Sequence, residues 1–239
     1  MEGLIAFEGL SLRRPPRQGA KPWRMEVEAF TLHPGARIGL IGESGSGKST
    51  FLDFLALIAR PEGIGKFSLA GEDVTRLVRN GKGGALARRR SRNIGYVLQD
   101  GGLLPYLTVR ANAGLARSLS GRRDLPGLDQ IAGQLGIAGH LDKRPAHLSG
   151  GQRQRAQVLR GLATGAQILL ADEPTAALDN ENAHRTFQAL TSAPPGTALV
   201  VASHWPELLR DFGFFLCRVS LREYPGEVVA ELQAAEGLA

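Results

Sequence analysis

Cysteine is nearly absent: the 239-residue chain holds one, Cys217. A single thiol excludes an internal disulfide and any Cys-rich zinc module. Its apolar setting, FFLCRV, marks it as a small core residue. No apolar run approaches the length of a membrane span, and the acidic opening MEGLIAFEGL is too short for a secretory leader. The expectation is a soluble, cytoplasmic chain. Internal repeats and low-complexity tracts are also lacking, which excludes solenoids and linker-like segments.

What remains is ordinary globular composition, 43 % apolar and 22 % charged, in a chain long enough for one large domain. The formal charge is +6 and the pI near 10.0, so an anionic neighbour is expected. Arg88, Arg89, Arg90 and Arg92 form the densest basic run. It reads either as a solvated helix end or as an interface.

In chain order, residues 1–12 and 25–32 alternate like strands, with Met25, Val27, Ala29 and Thr31 on one face. The proline-rich basic stretch RRPPRQGAKP between them is a loop, so a small antiparallel sheet is expected first. A helix over Lys48–Ala59, ended by Pro61, carries Phe51, Leu52, Leu55 and Ile58 at helical spacing. Phe67–Ala70 reads as a strand, Gly71–Asp73 as a turn and Ile94–Leu98 as a buried strand. Leu103 to about Leu162 is mostly helical, broken at 121–123, at 126–127 and at Pro145. Ile168–Ala171 and Ala198–Ala202 are short apolar strands, with helices over Glu181–Leu190 and Pro206–Phe212. The tail from Gly213 alternates weakly and suggests edge strands. Strands alternating with helices give an α/β class with a parallel core.

Arg37–Thr50, RIGLIGESGSGKST, is the stretch the rest depends on. A short strand, Ile38–Ile41, runs into a glycine-rich turn and a helix opening near Lys48. Gly42, Glu43, Ser44, Gly45, Ser46, Gly47, Lys48, Ser49 and Thr50 contain the G-x-x-x-x-G-K-S pattern of a phosphate-binding P-loop. Glycines let successive N–H groups converge on phosphate oxygens, and the helix N-terminus adds a field that favours the anion. Lys48 is placed to reach the β- and γ-phosphates of a nucleotide, and the Ser49 hydroxyl to ligate Mg²⁺.

Ile168–Glu173, ILLADE, is an apolar strand ending in two carboxylates. Asp172 suits a contact to Mg²⁺, and Glu173 suits orienting and deprotonating an attacking water. LSGGQRQR, Leu148–Arg155, reads as a helix N-cap in which Ser149 and Gln152 make a capping box. Gly150 and Gly151 weaken a first turn, which is sensible where the backbone must come close to a phosphate.

Taken together these motifs resemble the ATP-binding cassette (ABC) ATPases over nearly the whole chain. Gly42–Ser49 is similar to the Walker A motif, and Leu148, Ser149, Gly150, Gly151 and Gln152 to the signature sequence. Ile168–Asp172 resembles Walker B, with Glu173 at the catalytic glutamate position. Gln99 falls on the Q-loop, Asp179 in the D-loop and His204 at the switch histidine. The resemblance implies one ABC ATPase domain over 1–239, a P-loop NTPase with a parallel core, an N-terminal antiparallel β subdomain and a helical subdomain inserted at about 100–165. It implies ATP and Mg²⁺ as ligands, with Ser49, Gln99 and Asp172 at the metal, His204 at the γ-phosphate and Asp179 communicating across a dimer. It also implies a head-to-tail homodimer in which Ser149, Gly150 and Gly151 of one cassette close over ATP held at Lys48 of the other.

The adenine end departs from the family. Members stack the base on an aromatic early in the β region, where this chain has Arg14 and Pro15 instead. Trp23 as a substitute, Trp23 as a core residue and Arg14 as a stacking cation stay open.

The resemblance further implies a separate integral membrane permease, with the cassette peripheral on the cytoplasmic face and no nucleic acid among its partners. The apolar stretch Gly101–Val109 and Asn112 are similar to importers and to the lipoprotein-release and macrolide-export group, and the arginine run resembles that last group. Cargo and direction are read by the permease. An iron–sulfur assembly ATPase and a regulatory cassette on a membrane complex are the alternatives.

Overall fold

The computed structural model describes residues 3–14, 21–122 and 125–234. Residues 15–20 of the expected proline-rich loop and Arg123 of the expected break lie outside the described residues. Among the described residues ten strands form one sheet in the order β5-β4-β1-β2-β10-β9-β3-β8-β7-β6. β1 (Ile5–Arg14) and β2 (Trp23–Leu32) pair antiparallel, and β4 (Lys66–Leu69) with β5 (Glu72–Asp73) extends that edge. On the other side β3 (Arg37–Ile41), β8 (Ala198–Ala202), β7 (Ile168–Asp172) and β6 (Ile94–Val97) run parallel. Buried on both faces, they read as continuous apolar runs, as parallel strands must.

Three expectations about the strands need correcting. Met25 and Val27 do point inward, but Ala29 and Thr31 are exposed while Phe30 and Leu32 turn to the core. The alternation changes phase across the pair: opposite this point Gly9 takes φ +63°, and β1 likewise buries Phe7 and then Leu10. The tail is not at an edge either. β9 (Phe215–Tyr224) lies between β3 and β10 (Glu227–Ala234), parallel to the first and antiparallel to the second. β10 bonds in turn to β2, so the tail joins the antiparallel and parallel halves. Glu72–Asp73, expected as part of a turn, pairs with β4; the turn itself is at Ala70–Gly71.

α1 (Lys48–Leu55) is four residues shorter than expected. Leu57 turns to φ +58°, and the amides of Ile58 and Ala59 bond back to the Asp53 carbonyl, so the helix stops well before Pro61. Ile58, expected on the core face, is 52 % exposed as a result. α2 (Thr75–Asn80) and α3 (Gly83–Asn93) follow, and the arginine run forms the second half of α3, where cations complement the helix dipole. α4 (Val109–Ser120), α5 (Leu128–Gln134) and α6 (Gly150–Leu162) fill the expected helical region. α7 (Asn180–Thr191) and α8 (Pro206–Asp211) complete the set.

The sheet separates two cores. On one face Phe7, Phe51, Phe54 and Phe67 meet ring to ring, with Phe7 and Phe54 centroids 5.2 Å apart and nearly perpendicular. On the other, Val158 and Leu159 of α6 and Phe187 and Leu190 of α7 pack on Leu169, Leu199 and Val201. Each such side chain fully buried contributes about 1.5–3 kcal/mol. Both cores press the helices against the strand ends that carry the conspicuous motifs.

Candidate active site

The P-loop follows β3 and opens α1. Gly42 and Gly47 take φ +147° and +122°, and each is crowded besides. A Cβ on Gly42 would stand 2.3 Å from the Val219 carbonyl oxygen, and one on Gly47 2.5 Å from the Trp23 ring. Only glycine lets the loop fold this tightly over β9 and β2. Lys48 curls back over the loop, its Nζ donating to the carbonyls of Gly42 at 2.8 Å and Glu43 at 3.0 Å. Burial lowers its pKa, while Glu173 and Asp172 pull it back up.

The two carboxylates reach the loop from the end of β7. Burial raises the Asp172 carboxyl above its ordinary range, against a hydrogen bond from Ser49. Its Oδ1 is buried with no hydrogen-bond partner among the described residues. Glu173 is also raised by burial, with His204 and Lys48 opposing. The backbone at Glu173 takes φ +47°, a left-handed value that costs a non-glycine residue roughly 1–2 kcal/mol. The surroundings hold it there: Glu173 N donates to Ala202 O at 3.0 Å, and Gln154 Nε2 donates to Glu173 O at 2.7 Å. His204 Nε2 stands 3.2 Å from Glu173 Oε1, and His204 N donates to Oε2 at 3.3 Å.

Arg14, Ser44, Gly45, Gly47, Lys48, Ser49, Gln99, Glu173 and His204 line one cavity of about 80 Å³. Residues from five separate sequence regions therefore converge. Leu148–Gln152 does not join them. Ser149 Oγ accepts from Gln152 N at 3.2 Å, and Gln152 Oε1 accepts from Ser149 N at 3.0 Å, completing the capping box at an exposed helix end. Asp179 caps α7 through Asn182 N at 2.9 Å, which holds its carboxyl below the ordinary range.

At the expected base end, Arg14 and Trp23 act together. The Arg14 guanidinium lies over the Trp23 ring at 4.1 Å, with Nε donating to Thr50 Oγ1 at 2.7 Å and an Nη to Gly45 O at 3.1 Å. Trp23 is buried in the aromatic core.

Gln154 escaped the sequence reading. Its signal, a polar residue inside a helix, is indistinguishable from a solvated position, yet it is buried and bonded at both ends of its amide.

A family model described as ABC transporter matches residues 26–176, which include the P-loop, the exposed capping box and the paired carboxylates. This chain belongs to the ABC transporter family. Within it, the cassette is 35 % identical over 212 residues to the lipoprotein-releasing system ATP-binding protein LolD 2 of Caulobacter vibrioides, covering 87 % of this chain and 90 % of that one. It is 34 % identical to the macrolide export ATP-binding/permease protein MacB of Marinobacter nauticus over 84 % of this chain, but spans only 30 % of that longer protein. The fold superposes on the dimeric bacterial ABC transporter cassette MJ0796 with a TM-score of 0.77 at 25 % identity, over 94 % of this chain and 96 % of the other.

Proposed function

We propose that this cassette binds Mg·ATP, closes head-to-tail on a second copy of itself, and hydrolyses ATP to drive a separate membrane permease. The observation that carries this is the convergence of Lys48, Ser49, Gln99, Glu173 and His204 on one cavity. The Lys48 ammonium, held now by two backbone carbonyls, exchanges them for the β- and γ-phosphate oxygens. Glu173, buried and steered by a constrained backbone, takes the proton of the attacking water, a role worth about 10²–10⁴-fold. His204, already against Glu173, binds the γ-phosphate and fixes the carboxylate's direction.

The donor set fits a magnesium ion. The Asp172 carboxyl has one buried oxygen without a partner among the described residues and the Ser49 hydroxyl for a neighbour, both hard oxygen donors, and Ser49 and Gln99 line the same cavity. When bound, the metal neutralises charge between the terminal phosphates. The geometry favours Arg14 over Trp23 as the base contact. Arg14 lines the cavity, while Trp23 is buried beneath it and serves as its platform.

Leu148–Gln152 lies outside the cavity of its own chain, and its exposed helix N-terminus suits a phosphate held by a partner. Ser149, Gly150 and Gly151 then complete the partner's site, and Asp179 lies in the D-loop between the two. The named functions of the relatives, lipoprotein release and macrolide export, favour transport over iron–sulfur assembly or a regulatory cassette. Among the described residues no helix is long and apolar enough to cross a membrane. In the arrangement proposed here a separate permease supplies the span and the cassette lies on its cytoplasmic face. Of the stretch Gly101–Val109, Leu103 packs inward and Tyr106 stays exposed. An apolar groove of about 460 Å³ between α3, α4 and α6, lined by Ile58, Leu119, Arg88 and Arg90, is the seat we assign to the permease.

The test is steady-state hydrolysis by the purified chain. Turnover that vanishes in Lys48→Ala supports the reading; turnover near wild type in that variant rules it out.

A further inference from the structure

The signature helix and the catalytic turn of one chain are joined by a single side chain. Gln154 lies on α6, five residues after Ser149, and is buried. Its Nε2 donates to Glu173 O at 2.7 Å, and its Oε1 accepts from Ala177 N at 2.8 Å. Both partners belong to the turn that starts at Glu173, whose left-handed φ of +47° persists only while neighbours enforce it. Gly151 presses on the far end of the same turn. A Cβ there would stand 3.0 Å from Leu178 Cδ2 and 3.3 Å from Ala177 O. The turn thus rests on α6 at two places, one polar and one steric.

We propose that Gln154 is a positioning residue that conveys the state of one ATP site in the dimer to Glu173 of the other. The inference rests on the head-to-tail reading above. In such a dimer Ser149–Gly151 of a chain touches the nucleotide held by its partner, while Glu173 of that chain serves its own nucleotide. α6 therefore has one end in each site. A displacement of its N-terminus on meeting a γ-phosphate is passed through the Gln154 amide to the peptide that aims Glu173. Glutamine suits the task because one amide donates to a carbonyl and accepts from an N–H at the same time. Glutamate keeps only the acceptor and places a carboxylate against the Glu173 carbonyl; methionine keeps the shape and removes both bonds.

The experiment compares full-length wild type, Gln154→Glu and Gln154→Met, each alone and with Glu173→Gln. ATP affinity, the ATP-driven dimer in the Glu173→Gln background, kcat and the Hill coefficient for ATP are the readouts. Wild type is expected to show a Hill coefficient of about 1.5–2, the ceiling being the number of sites. Both Gln154 variants should hold ATP within about twofold and still dimerise, while kcat falls about tenfold and the Hill coefficient drops to about 1. Unchanged kcat and cooperativity in both variants overturns the proposal, as does a wild type without cooperativity. A kcat loss with the Hill coefficient intact overturns it too, leaving Gln154 as local support. Loss of ATP binding and dimer along with turnover in both variants points to a purely structural role and likewise overturns it. A parent Glu173→Gln chain that stays monomeric in ATP instead refutes the head-to-tail reading itself.

Discussion

At the scale of single residues, the site holds charges whose ionisation is altered by burial. In the role proposed for it, Glu173 must be ionised to accept a proton, so activity should be lost as pH falls; because burial raises its pKa, that loss should begin at a higher pH than for an ordinary carboxyl near 4.5. The phosphate contact proposed for Lys48 needs the protonated ammonium, and burial lowers its pKa from 10.5, so the alkaline loss should come earlier as well. A kcat/KM profile narrowed on both sides is the expected result, and limbs at the ordinary values would contradict it. Lys48→Ala should cost at least about 10²–10³-fold in kcat, the scale set by removing one donor to a developing anion. Arg14→Ala should weaken ATP binding and leave inorganic triphosphate binding unaltered; equal losses for both ligands would place Arg14 at the phosphates instead. The loop Gly42–Ser49 was legible in the sequence because its pattern is local, written in consecutive positions, and the structure brings it to the cavity wall. Gln154 was not, since its partners lie 19 and 23 residues away across a fold contact.

Elements carry the next set of consequences. Asn112, singled out in the sequence, is buried at the first turn of α4 and fastens the preceding loop. Its Oδ1 accepts from Leu104 N at 2.7 Å, and its Nδ2 donates to the carbonyls of Leu104 at 3.1 Å, Leu107 at 3.2 Å and Thr108 at 3.0 Å. Asn112→Ala leaves those buried groups short of partners and should cost about 1–3 kcal/mol. Thermal unfolding reads the loss, and faster amide exchange at Leu104 locates it. β6 and α6 approach through Gly95 and Gly161: a Cβ on Gly95 would stand 2.7 Å from Gly161 O. Gly95→Val should therefore lower stability more than Gly114→Val, where nothing stands within 4 Å. Helix existence was readable from apolar spacing, but the early end of α1 was not. It depends on Leu57 adopting a left-handed backbone, which no periodicity announces.

Over the whole molecule, the tail decides how the halves hold together. β9 bonds to β3 from Ile38 to Ile41, directly beneath the P-loop, and β10 ties β9 to β2. Weak alternation announced strands there but not their neighbours, because pairing across 170 or more residues leaves no local mark. A chain ending before Gly213 should lose the single cooperative transition that the intact chain shows in thermal unfolding. In the proposed cycle ATP, and not ADP, brings two cassettes together around Glu173 and Ser149. Size exclusion of Glu173→Gln with Mg·ATP and with Mg·ADP tests it most directly, since the substitution preserves shape and removes the base. A dimer with ATP, a monomer with ADP, and no ATP dimer once Ser149→Arg is added are the expected results. A monomer in both nucleotides, despite ATP binding demonstrated by titration, would contradict it.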